Sequence, residues 1–142
     1  ENLEWLTSKN NLPRSFRVEH GDAVTHAWYR PLGAVVAETY LGQPFSAPPS
    51  PKKLVEVRGN CNHIVSGFLK NLGAQLTTGT PLCLAVPAWK DSAGSFTHLP
   101  LTANLERLGY RRLSLKTVCP ADLLYYRDDQ VVARELLLLE KS

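Results

Sequence analysis

The chain has 142 residues, 44% of them hydrophobic and 20% charged, enough to bury one core, too little for two domains and too apolar for a disordered chain. Its 16 basic and 13 acidic residues leave a net charge of +3, which neither requires nor excludes a polyanionic partner. The leucine run at 136–139 falls far short of the roughly 20 apolar residues of a membrane helix, so no membrane partner is expected.

In chain order, residues 2–8 read as the last turns of a helix, broken by Asn10, Asn11 and Pro13. Residues 15–19 predict a short strand ending at His20-Gly21-Asp22, and residues 33–38 a second, apolar on both faces through Ala34-Val35-Val36-Ala37. The four prolines from Pro44 to Pro51 forbid a helix and force an extended loop. Beyond them Leu54, Val57, Cys61, Ile64, Val65, Phe68, Leu69, Leu72 and Leu76 recur mainly in steps of three and four, the period of a long amphipathic helix. The unbroken apolar run 82–86, closed by Pro87, predicts a central parallel strand covered on both faces.

Leu101, Leu105 and Leu108 predict a short helix stopped by Gly109 in a left-handed cap. Residues 110–116 and 130–140 read as strands, while 120–129 fit a helical turn or a hairpin arm equally well. Together these elements make an α/β domain, with parallel strands joined by helices and an antiparallel pair at the C-terminal edge.

The sequence has no methionine and opens on Glu1-Asn2-Leu3-Glu4-Trp5-Leu6, which reads like the middle of a helix. A piece of a longer polypeptide is expected, the alternative being a mature protein trimmed at its N-terminus. Cys61, Cys83 and Cys119 are odd in number and widely spaced, which fits a reducing cytoplasm better than a disulfide framework. Cys61 and His63 have no second pair at zinc-ligand spacing, so no metal is expected.

In an open α/β sheet, ligands sit beyond the carboxyl ends of the strands. After the first predicted strand stand Gly21-Asp22-Ala23, after the second Glu38-Thr39-Tyr40-Leu41-Gly42, and after the third Pro87-Ala88-Trp89-Lys90. Carboxylates, a tyrosine and a tryptophan thus gather at one edge. At these residues the chain resembles the class I S-adenosylmethionine-dependent methyltransferases, and within them the RNA methylases related to archaeal transfer-RNA guanine methyltransferases. An acidic residue followed by a small one after a cofactor-side strand is matched by Asp22 and Ala23, and the Asp/Asn-Pro-Pro-Tyr catalytic loop by Glu38, Thr39 and Tyr40. The order from Phe68 through Pro87, and from Leu105 to Lys141, also follows the family's pattern.

The resemblance implies a Rossmann-like methyltransferase sheet, mostly parallel, lacking its N-terminal strands. Residues 1–142 would then be the C-terminal part of one catalytic domain. The family's glycine-rich turn and ribose-binding carboxylate would lie outside it, and an RNA-binding module could precede it. S-adenosylmethionine is the implied cofactor and nucleic acid the implied partner, RNA before DNA. Asp22 would accept from the adenine amine, or act simply as an N-cap for residues 23–28. Glu38 would accept from an exocyclic amine of a nucleobase and Tyr40 would stack on that base.

Thr39 stands where the family has proline, and glutamate is one methylene longer than aspartate. A strand-end glutamate and a packing tyrosine are the plainer interpretation.

Trp28, Trp89 and Phe45 are candidates for lining a base pocket, or for core and rim packing. Arg14, Arg17, Arg30, Lys52, Lys53 and Arg58 would track a phosphate backbone only if they share a face. His20, His26, His63 and His98 show no dyad with a nucleophile, and neither a Gly-x-Ser-x-Gly elbow nor a phosphate-binding Gly-Lys loop is present. The leading function is methylation of a nucleobase amine. The alternatives are a catalytically inactive methyltransferase-like scaffold and a methyltransferase of small molecules or proteins. A sheet short of strands also predicts self-association at its open edge.

Overall fold

The computed structural model describes residues 1–13, 16–29 and 31–142. Helix α1 spans Asn2–Lys9, strand β1 Val35–Glu38, helix α2 Pro51–Gly73 and strand β2 Pro81–Lys90. The short strands β3 (Phe96–Thr97), β4 (Tyr110–Arg112) and β5 (Leu124–Tyr125) precede the long β6, Val132–Lys141. No helix among the described residues is long and apolar enough to cross a membrane.

The proline loop feeds directly into α2. Ser50 caps the helix, its hydroxyl accepting from the Lys53 amide at 3.3 Å, and Pro51 takes the first turn, where its missing N–H is not needed. The apolar stripe then buries Val57, Cys61, Val65, Phe68, Leu69 and Leu72. This helix is the crossover that lets β1 and β2 run parallel, from Val35 opposite Leu82 to Glu38 opposite Ala85.

The strand order is β1-β2-β6-β4, with β3 paired to β2 and β5 to β6. Among the described strands only β1–β2 is parallel; β2–β3, β2–β6, β4–β6 and β5–β6 are antiparallel. The sheet is therefore mixed rather than mostly parallel, and β6 lies inside it rather than at its edge. The reason is pairing: β6 matches β2 from Val132 opposite Trp89 to Glu140 opposite Pro81, so its leucines complete the core rather than a rim.

Across the strands, Val35 and Ala37, Leu82 and Leu84, and Leu139 and Leu137 share one face and pack with α2. Val36, on the other face, is 83% exposed, and Cys83, Ala85, Leu136 and Leu138 are only half-buried. The expected cover on both faces of β2 thus holds only over residues 86–89.

Other expectations shift for physical reasons. Residues 16–22 form no strand, and Ser15 lies outside the described residues. The alternation of Phe16 and Val18 is a strand-like signal, but no ladder partner stands beside it and both side chains are exposed. Pro87 does not end β2. Ala85 turns its carbonyl to the Thr39 amide, so Pro87, two residues on, points its missing N–H past the end of β1, where no ladder bond is lost.

The helix expected near Leu101–Leu108 is two 3-10 turns, Pro100–Ala103 and Leu105–Leu108, closed by Gly109 at φ 81° as its sequence position implied. Residues 120–129 supply both a 3-10 turn, Pro120–Leu123, and the short strand β5.

Candidate active site

A cleft of about 500 Å3 runs along β1 between α2 and the loop that precedes β1. Ile64, Val65, Phe68 and Leu72 of α2 form its apolar wall. Residues 34–40 form a second wall, and the loop contributes Asp22, Ala23, Val24, Trp28 and Leu32. Asp22, Ala23, Glu38, Thr39, Tyr40 and Trp28 are therefore neighbours of one space, although sequence separates the first pair from the Glu38 segment by the whole loop.

The loop has no regular structure and is held by side chains. Asp22 closes a turn on itself: its Oδ1 accepts from the Val24 amide at 2.9 Å, and its carbonyl accepts from the His26 amide at 2.8 Å. Asp22 thus has the self-bonding geometry of a capping residue, without a helix after it.

From α2, Asn71 Nδ2 donates to the carbonyls of Ala23 and His26, both at 2.9 Å. Gln75, just past the helix, donates to the His26 carbonyl at 3.0 Å and accepts from the Trp28 amide at 2.9 Å. Trp28 then packs edge-on against Phe68, with ring centroids 6.4 Å apart. Gly67 makes the approach possible, since a Cβ there would meet Val24 Cγ1 at 3.0 Å. Asn71 and Gln75 carried no sequence signal beyond being polar residues near a helix end.

At the other wall, Thr39 is tied down twice, its amide and its hydroxyl both donating to the Ala85 carbonyl at 3.0 Å. The hydroxyl makes a tether that the proline of the family pattern could not. Tyr40 follows with half its surface exposed, and the chain turns away at Gly42, whose φ of 84° suits glycine. Glu38 does not hang free. It meets Arg134 of β6 end to end, Nε to Oε2 at 3.1 Å and Nη2 to Oε1 at 3.3 Å. Its hydrogen bond and charge push the Arg134 guanidinium still higher than its ordinary value. Sequence reasoning missed this partner, which lies 96 residues away.

The three aromatic candidates separate. Trp28 lines the cleft, whereas Phe45 lines a shallower groove of about 350 Å3 with Arg134 and Gln130. Trp89 does not sit in a loop after a strand. It lies within β2 at 1% exposure, and among the described residues its buried Nε1 has no hydrogen-bond partner. The continuation of β2 through Pro87 carries it into the core.

The basic residues also disperse. Arg17 pairs with Glu19, Lys53 with Glu56 at 2.8 Å, and Arg58 donates to the His98 carbonyl at 2.8 Å. Arg14 and Arg30 lie outside the described residues.

No protein-family model and no curated protein matches the chain. Among solved structures, it is similar to a protein of Thermus thermophilus described as a candidate DNA modification methylase, with a TM-score of 0.41 and 13% sequence identity. The match covers 80% of this chain and 47% of that one, so the chain spans about half the length of that neighbour.

Proposed function

We propose that the chain supplies the C-terminal part of the catalytic domain of an S-adenosylmethionine-dependent methyltransferase acting on an exocyclic amine of a nucleobase, RNA before DNA. One observation carries this reading: Asp22-Ala23 and Glu38-Thr39-Tyr40, chosen from the sequence pattern, line the same cleft. Among the described strands β1 ends the order, and the edge beside that cleft is the side on which further strands would pair.

The cleft suits the adenine end of the cofactor. Among the described residues no hydrogen bond takes Asp22 Oδ2, which leaves it for an exocyclic amine, and the wall of Val35, Ala37, Ile64 and Phe68 is apolar. When bound, the cofactor supplies an electrophilic methyl group on its sulfonium. Glu38 accepts from Arg134, yet each carboxylate oxygen keeps a second lone pair for the hydrogens of a substrate amine. Arg134 fixes where those oxygens point, Thr39 anchors the loop, and Tyr40 offers a half-exposed ring on which a base can stack.

The test is transfer of labelled methyl from S-adenosylmethionine to bulk transfer RNA and to duplex DNA by the polypeptide that carries this chain. Incorporation into RNA that is lost in Glu38→Ala and reduced in Tyr40→Ala supports the reading. Incorporation unchanged by Glu38→Ala would remove that residue from the chemistry.

A second reading is a binding module that has lost catalysis. The Glu38–Arg134 ion pair and the Thr39 tether favour it, because both hold the loop without a substrate. No incorporation into any nucleic acid, together with retained binding of one, decides for that module.

A further inference from the structure

Away from the cleft, where β6 meets β4, Glu135 of β6 holds two side chains at once. The residue is only 5% exposed. Oε1 accepts from Arg112 Nη2 of β4 at 2.9 Å, and Oε2 from His98 Nδ1, just beyond β3, at 2.7 Å. A buried carboxylate needs a cation beside it, and Arg112 alone would serve. The second partner does something more. It fixes the plane of the imidazole and leaves Nε2 aimed elsewhere.

Among the described residues no hydrogen bond reaches His98 Nε2 or the remaining N–H groups of Arg112. Both side chains are about two-fifths exposed, and both line a cavity of about 690 Å3. Leu113, Leu115, Val118 and Leu124 supply apolar wall beside Thr102 and Ser114. Apolar side chains beside a few convergent polar groups are the form of a small-molecule site.

The charges around the imidazole are Glu135 from β6, Arg112 from β4 and Arg58 of α2, whose Nε reaches the His98 carbonyl at 2.8 Å.

We propose that this cavity binds a small amphiphilic oxyanion, an apolar body bearing one phosphate or carboxylate. Arg112 donates to the head group, Nε2 of His98 stands beside it, and the leucines cover the body. The proposal is independent of the methyltransferase reading, since no residue is shared between the two sites.

Titration of the 15N-labelled chain with phenyl phosphate, phenylacetate, inorganic phosphate and benzyl alcohol tests it, read from the His98 ring nitrogens. Phenyl phosphate or phenylacetate should saturate with a shift at Nε2 and bind at least about tenfold more tightly than inorganic phosphate or benzyl alcohol. The tighter of the two amphiphiles identifies the head group. Arg112→Gln should weaken that binding by about tenfold or more.

Because that variant leaves a buried carboxylate short of a partner and can unfold the edge, Leu115→Glu is the companion. It sets a negative charge on the cavity wall without touching the cluster, and should abolish binding in a chain that keeps its native spectrum. Arg111→Gln, whose side chain pairs with Glu140 outside the cavity, should bind as the parent does. No saturable His98 shift with either amphiphile at about 10 mM, equal affinity for benzyl alcohol, or unimpaired binding by Leu115→Glu would overturn the proposal.

Discussion

Asn71→Ala tests whether α2 sets the shape of the cleft. The side chain makes two hydrogen bonds of 2.9 Å to loop carbonyls that have no strand to hold them. Each such bond contributes about 1 kcal/mol net, so the variant should favour opening of the loop by about 2 kcal/mol, or about 30-fold. The loss is local, because Leu69 and Leu72 on the same helix stay buried against the sheet.

Amide hydrogen exchange separates the cases. The amide of Trp28, bonded to Gln75 Oε1 at 2.9 Å, and that of His26, bonded to the Asp22 carbonyl at 2.8 Å, should exchange about 30-fold faster, while the amides of β2 and β6 keep their protection. Equal acceleration in the loop and the central strands would show that Asn71 supports the whole fold rather than the loop. An unchanged Trp28 amide would show that the loop is held by Trp28 packing alone. Either result would show that Asn71 of α2, with Gln75 just past it, does not hold the loop that carries Asp22.

Three further outcomes follow from the core. Burial pushes the Tyr110 phenol up to about 12, so an ultraviolet titration should find it still protonated at pH of about 11. Its folded state holds the proton more tightly than the unfolded chain does, so this contribution to stability is complete below pH of about 10 and is lost as pH rises towards about 12. Tyr110→Phe should remove that slope and cost about 1 kcal/mol for the bond to the Leu69 carbonyl, measured by denaturant unfolding on both sides of the window.

Leu137→Ala, at a fully buried position facing α2, should cost about 2–5 kcal/mol in urea unfolding; a loss below about 1 kcal/mol would mean that the core collapses around it. Burial also raises the Cys61 thiol, so a thiol reagent should modify exposed Cys119 first and Cys61 only on unfolding, as mass mapping of the products can show.

The structure gives the candidate cleft a particular electrostatic character. Glu38 is held from behind by Arg134, across the ladder from β1 through β2 to β6. Substituting Arg134 would free the carboxylate, while Asp22, anchored to its own turn, would not move. Asp22 and Glu38 are thus positioned by unrelated means, one by its local backbone and the other by a distant strand, and the Glu38 carboxylate shares with Val36 and Arg134 the sheet face turned away from α2.

What the residues determined by themselves were the features written in short-range periodicity and backbone preference. The steps of three and four from Leu54 to Leu72 give α2, Ser50-Pro51 begins it, and Gly109 closes the turn at φ 81°. Asp22 and Glu38 line one cleft, although the strand expected before Asp22 does not form. Tertiary structure decided the rest. A strand exists only where another lies beside it, so Phe16 and Val18 have the alternation without the strand, while Pro87 sits within one because β1 has already ended.

Trp89 belongs to the core for the same reason. Arg134 on Glu38, Asn71 on the loop and the grip of Glu135 on His98 and Arg112 are pairings between residues far apart in the chain. Spacing along a polymer does not encode such contacts; they form only once the sheet has brought its strands into register.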